Sequence, residues 1–470
     1  MKVLFAASEI FPHAKSGGLA DVSDALPAAL AKSVNISRVM PFYGFMKKKE
    51  FKVYENFTIM LAGNEYKIEI LQTSKEKVVT YFVNAPFLST TQNLYGNENG
   101  DYKNNDLRFG IFCKVIVELS LRLSVDVLHL NDWHTALCAL FIKESNLKIK
   151  TIFTIHNLAY QGLFDKYSLC KLSINEKYFR PDALEFYDRA NFLKAGIAYS
   201  DYITTVSPNY AEEILTQKFG CGLDGFLRKH KKKLAGILNG INSDIFDPAT
   251  DKALEFNYSK NTLENKHKNK VSFVQQTKLK DSRKPLFVMI TRLVEQKGIF
   301  LVIESLEQLL SKNLNLVIIG DGDTEIYAKL NMLTCKYKNF EFFEGYDESL
   351  SRKTYAAADF LLMPSKFEPC GLNQFIAMKY GTLPLVHEVG GLKDSVHEDT
   401  PFENRSKKSL ACGKGIVFKE YTQEDLLLAI DRALNLKKNT QTFKSVVKSN
   451  MECDFSFEKS ALEYLKLYIN

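Results

Sequence analysis

The sequence predicts an α/β protein of two domains, in each of which buried strands alternate with amphipathic helices. Three observations support this prediction. The length of 470 residues exceeds what one hydrophobic core usually serves, the first half alternates strand and helix patterns, and the alternation starts again at Leu286. A polar stretch rich in lysine and asparagine, residues 243–284, separates the halves. The main domain boundary is therefore expected near residue 242, between domains 1–242 and 243–453.

The composition is that of an ordinary globular protein, with 46% hydrophobic and 25% charged residues. A net charge of +7 is spread over 62 basic and 55 acidic residues, which is too dilute to predict nucleic-acid binding. The eight cysteines lack a C-x-x-C spacing, which favours a reducing compartment. No run of about 18 apolar residues occurs, and Ser8-Glu9 ends the N-terminal apolar run too early for a signal peptide. We expect a cytoplasmic protein without a membrane partner.

The first predicted strand, residues 3–7, leads through a loop with two glycines to a helix that presents Leu19 and Val22 on one face. Paired glycines at a helix start let backbone N–H groups approach a phosphate, and Lys15 adds a positive charge. The loop matches neither the dinucleotide fingerprint nor the P-loop. It is a candidate phosphate site, and an ordinary Gly-Gly turn is the alternative.

Alternating and helical patterns follow this loop. Two alternating runs, residues 66–71 and 78–83, predict antiparallel strands or hairpins. A helix is expected over residues 105–123, with Phe109 and Phe112 among the residues that face inward.

Two buried strands of the first half end in polar residues. The first covers residues 126–134 and ends in a polar cluster that includes Asp132, and the second covers residues 151–155 and is followed by His156. Open α/β sheets bind ligands at the carboxyl ends of their strands, so these positions predict a site. A purely structural role for His156 is the alternative.

A metal site is not predicted at these residues. A strand alternates its faces, so His129 and Asp132 point in opposite directions, and a convincing third ligand is missing.

The second half opens with a strand, residues 286–290, which delivers Arg292 and Lys297 into one loop ahead of a helix, residues 299–310. Two unpaired cations at the end of a strand are costly unless an anion lies between them. The loop is therefore a second candidate phosphate site. A later Gly-x-Gly turn does not predict a nicotinamide cofactor, because Glu325 stands where the third glycine is needed.

Residues 359–384 form a strand, a loop and a helix, around which the second half is organised. The apolar run 360–363 predicts the strand, and the helix is expected to run from Leu372 to a stop at Gly381. Glu368 lies just ahead of the helix N-terminus, whose free N–H groups favour anions. A donor with hydroxyls at one end and phosphate at the other suits this arrangement. A surface glutamate in an ordinary connection is the alternative.

The C-terminal residues 455–468 predict one more amphipathic helix. Its expected apolar face contains Phe457, Leu462, Leu465 and Tyr468.

Taken together, these residues resemble the bacterial glycogen synthase and plant starch synthase family. The matching motifs follow the family order from residue 2 to about residue 468 and so span almost the whole chain. They are Lys15-Ser-Gly-Gly-Leu-Ala-Asp21, Asn131-Asp-Trp-His134, Thr154-Ile-His-Asn-Leu-Ala-Tyr-Gln-Gly162, Phe192-Leu-Lys-Ala-Gly196, Ile203-Thr-Thr-Val-Ser-Pro208, Leu238-Asn-Gly-Ile241, Arg292-Leu-Val-Glu-Gln-Lys-Gly298, Phe367-Glu-Pro-Cys-Gly-Leu372 and Tyr380-Gly-Thr-Leu-Pro384.

The resemblance implies two Rossmann-like domains that face each other across a deep cleft, the GT-B glycosyltransferase architecture. Residues 454–470 would then form a helix that crosses back to the first domain. The implied activity is transfer of glucose from ADP-glucose to the non-reducing end of an α-1,4-glucan such as glycogen, with retention of configuration. No cofactor and no metal are implied.

The resemblance also assigns roles to single residues. Arg292 and Lys297 would hold the diphosphate leaving group, with Lys15 approaching the donor from the first domain. Glu368 would hold the transferring glucose, and His156 would lie against it.

Further substrate contacts are implied on weaker grounds. Asp132 would lie near the acceptor. The remaining implied substrate-binding residues are Gly17, Gly18, Asp21, Tyr95, Asn239, Tyr346, Cys370, Gly371, Leu372 and Thr382.

The chain departs from the family pattern in two places. Ahead of Gly390-Gly391 the family often carries arginine, whereas this chain has His387-Glu388-Val389, which affects the expected donor contacts. Phe457 replaces a tryptophan that is usual in the closing motif, which is a change of packing.

Two other function classes stay open on the sequence. One is a different nucleotide-sugar enzyme of the same architecture, such as a sucrose-synthase-like enzyme or an epimerase. The other is a glucan-binding relative without catalysis. The sequence does not decide between ADP- and UDP-glucose, between glycogen and a starch-like product, or among oligomeric states.

Overall fold

The structure is a computed structural model that describes residues 1–75, 77–98, 100–398 and 413–469. The chain forms two compact units. Unit 1 contains Met1–Asn239 and the C-terminal residues from Phe457, and unit 2 contains Gly240–Ser456. The first junction falls just before residue 242, where the polar, lysine-rich stretch begins.

Unit 1 is organised around one large mixed sheet. The strands of this unit are β1 Lys2–Ala6, β2 Asn35–Pro41, β3 Lys52–Leu61, β4 Asn64–Lys75, β5 Val78–Asn84, β6 Gly96–Asn97, β7 Gly100–Asp101, β8 Val127–Asn131, β9 Lys150–Ile155, β10 Leu163–Phe164, β11 Glu185–Phe186, β12 Arg189–Asn191, β13 Tyr202–Thr205 and β14 Leu234–Gly236. The order across the sheet is β14-β13-β9-β8-β1-β2-β5-β4-β3. Strands from β14 to β5 are parallel, whereas β4 pairs antiparallel with both β5 and β3. The predicted antiparallel strands are thus confirmed.

The helices of unit 1 follow the predicted alternation. They are α1 Gly18–Leu30, α2 Asn105–Leu123, α3 Trp133–Glu144, α4 Ser168–Lys171, α5 Phe192–Tyr199, α6 Pro208–Glu213 and α7 Asp224–Lys229. Helix α1 begins directly after Gly17 and buries Leu19 and Val22, as predicted. Helix α2 has the predicted bounds, with Phe109 and Phe112 fully buried.

One predicted strand of unit 1 is shorter in the structure. The strand expected over residues 126–134 ends at Asn131, and α3 begins at Trp133. Between them, Asp132 has φ 56°, a left-handed conformation that ends the extended strand. His134 therefore lies in a helix and not at a strand end.

Unit 2 is built on a six-stranded parallel sheet. The strands of unit 2 are β15 Leu286–Ile290, β16 Asn315–Gly320, β17 Phe340–Glu344, β18 Phe360–Met363, β19 Leu383–His387, β20 Val396–His397, β21 Gly413–Lys414 and β22 Ile416–Phe418. The large sheet has the order β17-β16-β15-β18-β19-β22, and β20 pairs with β21. The two central strands β15 and β18 are buried along their whole length, which explains their uninterrupted apolar sequences.

The helices of unit 2 cover this sheet. They are α8 Leu263–Gln275, α9 Ile299–Ser311, α10 Thr324–Lys336, α11 Glu348–Ala357, α12 Asn373–Lys379, α13 Gly390–Ser395, α14 Gln423–Lys438 and α15 Thr440–Glu452. Helix α9 carries Val302, Leu306 and Leu309 in the core, at the spacing of one helix face. Helix α12 ends just before Gly381, whose φ of +67° stops the helix as predicted.

The last helix, α16 Glu458–Ile469, packs against α1 of unit 1. Phe457, Ala461, Tyr464 and Tyr468 are buried, in steps of three or four residues. The prediction that Leu462 lies on the apolar face is wrong. Its side chain is 59% exposed because it lies one position away from this stripe.

No helix within the described ranges is both long enough and apolar enough to cross a bilayer. No disulfide joins any two of the seven cysteines in those ranges. The eighth, Cys412, lies outside the described residues.

Candidate active site

The site residues predicted in unit 2 lie on loops that follow neighbouring strands. Strand β15 pairs with β18, and β18 pairs with β19, all in parallel. The loops after these strands carry Arg292 and Lys297, then Glu368, and then Gly390. Because carboxyl ends of parallel strands share one edge of a sheet, the topology brings these loops together.

The first two of these loops are fastened to each other through their backbones. The N–H of Lys366 donates to the Gln296 carbonyl at 2.9 Å, and the Gln296 side chain donates to the Phe367 carbonyl at 3.4 Å. Gly298 has φ +77°, and a Cβ at this position would lie 1.9 Å from the Pro364 carbonyl oxygen. Only glycine fits this conformation and this contact, which explains why a glycine ends the Arg-x-x-x-x-Lys-Gly loop.

Lys297 and Glu368 form an ion pair, with Nζ and Oε2 2.6 Å apart. The Ser365 hydroxyl donates to the same carboxylate oxygen at 3.1 Å. The expectation of two unpaired cations is therefore wrong for Lys297, because Glu368 supplies the missing anion. Arg292 is exposed and has no ion-pair partner among the residues that the structure describes. A phosphate group would meet one free guanidinium and one ammonium already shared with a carboxylate.

Glu368 is buried and lies just ahead of α12, as predicted. Its own carbonyl accepts the N–H of Gly391 at 3.0 Å, which ties this loop to the start of α13. Of the three following predicted contacts, Cys370 is buried, Gly371 has φ +73°, and Leu372 is the N-cap of α12. These three positions follow Glu368 in the loop that leads into α12.

Two predicted substrate contacts of unit 2 lie in different surroundings. The side chain of Tyr346 is 59% exposed in the loop after β17. Thr382 is fully buried, where its hydroxyl accepts the Lys266 ammonium at 2.9 Å and donates to the Tyr355 carbonyl at 2.7 Å. The placement of Thr382 gives no support to the prediction that its side chain binds substrate.

In unit 1 the corresponding edge of the sheet gathers residues that follow β1, β8 and β9. These strands are adjacent and parallel, and they lead to Glu9, Asp132 and His156 respectively. The backbone N–H of His156 donates to Asp132 Oδ1 at 2.7 Å, and His156 Nε2 donates to the Asn131 amide oxygen at 2.9 Å. The two predicted residues Asp132 and His156 are thus held together.

The protonation states of this pair follow from burial. Burial lowers the pKa of His156 to about 3, so its ring is neutral at physiological pH. Burial raises the pKa of Asp132 to about 7, although the N–H groups of His156 and Asn157 act in the opposite direction. The pair therefore offers a neutral imidazole and a carboxyl group that changes charge near neutral pH.

Glu9 is a site residue that the sequence analysis missed. Its buried carboxylate accepts the N–H of Ser16 at 2.5 Å, the hydroxyl of Ser16 at 2.6 Å, the N–H of Gly17 at 3.3 Å and the hydroxyl of Tyr95 at 2.5 Å. The Gly17 N–H, one of the two glycine N–H groups that we expected to face a phosphate, thus binds an internal carboxylate together with the N–H of Ser16. The position of an acidic residue directly after a buried strand was the signal available in the sequence.

The other predicted residues of unit 1 lie around this network. Lys15 pairs with Asp21 at 2.7 Å, and both side chains are about one quarter exposed. Gly18 is the first residue of α1. Asn239 is buried, and its Oδ1 has no hydrogen-bond partner within the described residues, which is uncommon for a buried polar atom.

Within the described ranges, no group of three or more His, Cys, Asp or Glu side chains is arranged so that it could hold a metal ion. His129 has a structural environment instead. Its Nδ1 bonds the Tyr468 hydroxyl and its Nε2 bonds the Thr154 hydroxyl, both at 2.7 Å, so the ring connects α16 to the sheet.

Comparison with known proteins places both units in described families. Residues 2–229 match the starch synthase catalytic domain, and residues 271–448 match the glycosyl transferases group 1 family. The glycogen synthase of Aquifex aeolicus is 42% identical, over all of this chain and 98% of its own length. That of Clostridium novyi is 38% identical, over all of this chain and 99% of its own length.

Solved structures show the same fold. The catalytic domain of starch synthase IV from Arabidopsis thaliana, bound to ADP and acarbose, superposes with a TM-score of 0.90 at 32% identity and covers all of this chain and 98% of that chain. A sucrose-phosphate synthase from Thermosynechococcus elongatus gives a TM-score of 0.65 at 17% identity, over 100% of this chain and 98% of its own, and shows the fold alone. The predicted class of two Rossmann-like α/β domains of the GT-B type is confirmed. The chain belongs to the family of bacterial glycogen synthases and plant starch synthases.

Proposed function

We propose that this protein transfers glucose from ADP-glucose to the non-reducing end of an α-1,4-glucan, with retention, and so elongates glycogen. The observation that carries the proposal is the Lys297–Glu368 ion pair on two interlocked loops, the first of which also carries the exposed Arg292. Family membership along the full chain supports it, as does the related catalytic domain solved with ADP.

The chemistry follows from how charge moves in the reaction. Cleavage of the sugar–phosphate bond leaves negative charge on the diphosphate, while positive charge grows on the sugar ring. Cations placed in advance act mainly in the transition state, and we assign this role to Arg292 and Lys297. The acceptor hydroxyl forms the new bond on the face that the diphosphate leaves and gives its proton to a diphosphate oxygen. No protein nucleophile is required.

Glu368 has two tasks in this proposal. Before the donor binds, its carboxylate holds the Lys297 ammonium in place at 2.6 Å. When the ammonium turns to the diphosphate, the carboxylate oxygens become available to accept hydroxyls of the transferring glucose. The same pair thus orients both ends of the donor bond that breaks.

In unit 1 we assign donor contacts to Lys15, Gly17 and Gly18 and an acceptor-side role to Asp132. His156, being neutral, would lie against the glucose as a hydrogen-bonding group and not as a second cation. Direct substrate contacts for Asp21, Tyr95, Asn239, Tyr346, Cys370, Gly371 and Leu372 stay predictions.

We further propose that no metal or organic cofactor takes part, since the arginine and lysine side chains can supply the positive charge. ADP-glucose is the proposed donor and the cytoplasm the proposed location.

The test is release of ADP when the purified chain is incubated with ADP-glucose and glycogen. We expect ADP release that depends on glycogen, incorporation of glucose into α-1,4 linkages, and a lower initial rate with UDP-glucose. Arg292→Ala is the negative control. Glycogen binding without ADP release would instead identify a non-catalytic relative. ADP release with a small acceptor such as fructose 6-phosphate but not with glycogen would favour the sucrose-synthase-like class.

A further inference from the structure

Strand β3 forms one edge of the large sheet of unit 1, and no strand pairs with its outer side among the residues that the structure describes. Exposed edges can pair with other chains, and proteins usually prevent this by making the edge strand short or by charging it. The opposite edge of this sheet, β14, has three residues. In unit 2, the edge strand β22 has three residues, and the edge strand β17 carries two glutamates among five residues.

The edge formed by β3 has neither protection. It is ten residues long, and its two charged residues lie within its first four positions. The carboxylate among them, Glu55, is already paired with Arg122 of α2. Further along the strand, Met60 is 66% exposed, and Phe57 and Ile59 are half-buried. An uncharged, largely apolar edge of this length is unusual for a strand that meets only water.

The hairpin geometry shows which backbone groups of β3 face outward. Leu61 and Asn64 flank a two-residue turn with positive φ angles, so they form a hydrogen-bonded pair with each other. Such pairs alternate along an antiparallel ladder, and every second residue from Leu61 backwards therefore bonds β4. The N–H and C=O groups of Asn56, Thr58 and Met60 point to the open side instead.

This edge is held in place by the rest of unit 1. At the turn, the hydroxyl of Ser173 accepts the N–H of Ala62 at 2.7 Å. In the middle of the strand, the Arg122 guanidinium lies 4.4 Å from the ring centroid of Phe57. The edge is thus ordered before any partner binds, which lowers the entropic cost of pairing.

Strand β3 is complementary to itself when two copies pair antiparallel around Thr58. The backbone of Thr58 then bonds the same residue of the partner, and Asn56 of each copy bonds the partner's Met60. Each of these pairs exchanges two hydrogen bonds. On the face toward α2, Phe57 lies opposite the partner's Ile59, an aromatic and β-branched pair that stabilises neighbouring strands.

The other two registers that use the same outward backbone groups fit less well. With the centre at Asn56, Phe57 lies opposite the partner's Glu55. With the centre at Met60, Phe57 lies opposite the partner's Gly63. Both registers lose the apolar pair, so the match of residue types selects the register centred on Thr58.

We propose that β3 is a dimerisation edge, at which two copies of this chain pair antiparallel around Thr58 and join their sheets. The partner is a second copy because the edge matches itself in residue types and in backbone groups. No charges oppose each other in this register, since Glu55 meets the partner's Leu61 and keeps its own Arg122. The inference does not depend on the proposed glucosyl transfer.

The first test measures association of the full chain by sedimentation velocity at increasing concentration. We expect a dimer of about twice the chain mass of 53.6 kDa. Thr58→Lys and Thr58→Glu should each raise the dimer dissociation constant at least about tenfold, because like charges then face each other at the symmetry axis. Thr58→Val is the matched control and should stay dimeric, since it keeps a strand-forming residue and adds no charge.

An equal mixture of Thr58→Lys and Thr58→Glu tests the register itself. Opposite charges meet at the axis of the mixed dimer, so the two variants should associate with each other although neither associates with itself. Far-UV circular dichroism checks that each variant is folded. A monomeric wild type, single variants that dimerise as tightly as the wild type, or a mixture that stays monomeric would each overturn the inference.

The second test needs no substitution and follows hydrogen exchange at single amides of the wild type by mass spectrometry. In a monomer, the N–H groups of Asn56, Thr58 and Met60 face water and exchange fast, whereas those of Phe57 and Ile59 are protected by β4. In the dimer all five should be protected, and dilution should remove the protection of the first three. Fast exchange of those three at high concentration would overturn the inference.

The failure of this inference and the failure of the proposed function are distinguishable. A wild-type dimer that passes both tests but releases no ADP from ADP-glucose and glycogen overturns the proposed function alone. A monomer that transfers glucose overturns the dimerisation edge alone.

Discussion

Replacing Lys297 with methionine should destabilise unit 2 more than replacing Glu368 with glutamine, although both changes break the same ion pair. The reason is the unequal burial of the partners, whose side chains are 20% and 6% exposed respectively. Without Lys297, the buried Glu368 carboxyl group loses its cation and keeps the Ser365 hydroxyl as a donor. Without the Glu368 charge, the Lys297 ammonium can turn toward water.

The magnitudes follow from this asymmetry. Removing one partner of a buried pair costs about 3 to 5 kcal/mol, and we take the lower end, about 3 kcal/mol, for Lys297→Met. For Glu368→Gln we expect about 1 kcal/mol, the value of one ordinary hydrogen bond. The double variant should cost about 2 kcal/mol, less than the sum, because no buried charge is left without a partner.

Urea unfolding measures these differences. Far-UV circular dichroism follows both units, whereas fluorescence follows unit 1, because the one tryptophan is Trp133 in α3. The variants should shift the dichroism transition more than the fluorescence transition. Lys366→Met is the matched control, since its ion pair with Glu295 is largely exposed and should contribute less than about 1 kcal/mol. Equal costs for the two single variants, with strict additivity in the double, would refute the reasoning from burial.

Three other predictions concern activity and acid stability. Arg292→Ala should lower kcat about 10² to 10³-fold with an unchanged circular dichroism spectrum. Arg292→Lys should not restore the full rate, because an ammonium cannot replace a planar guanidinium. Near-normal turnover in either variant would exclude Arg292 from the reaction. Glu9→Gln should lower kcat/KM for ADP-glucose about 10 to 100-fold, because the NH₂ group of an amide cannot accept the N–H groups of Ser16 and Gly17 that the carboxylate accepts. An unchanged kcat/KM would show that the Ser16–Gly17 loop needs no carboxylate. Burial lowers the pKa of His129 to about 3. Below about pH 6.5 the unfolded chain therefore takes up a proton at this residue that the folded chain does not. At pH 5 this difference lowers the free energy of unfolding by about 2 kcal/mol. His129→Gln should therefore lose less stability between pH 7 and about pH 5 than the wild type, and equal losses in urea unfolding would contradict this assignment.

The local pattern of apolar residues was sufficient for the elements and for their order. Strand β15 and helix α2 have the predicted bounds, because in each an uninterrupted apolar run or a clear helical face meets a definite stop. The strand before Asp132 was predicted too long, since nothing in the residue types announces a left-handed φ at an aspartate.

The residue types and their order show which strand ends carry charged and polar groups, and the motifs there are specific enough to indicate the family. The partners of those groups become visible only in the folded chain. Lys297 meets Glu368, and Ser16 and Gly17 meet Glu9, through contacts between loops that the chain order keeps apart. Such pairings depend on which strands lie side by side in the sheet, and strand order is a property of the packed core. The partners of His387 belong to the same class, because its ring nitrogens lie against the carbonyl oxygens of Ser365 and Lys419, which come from two other segments of the chain.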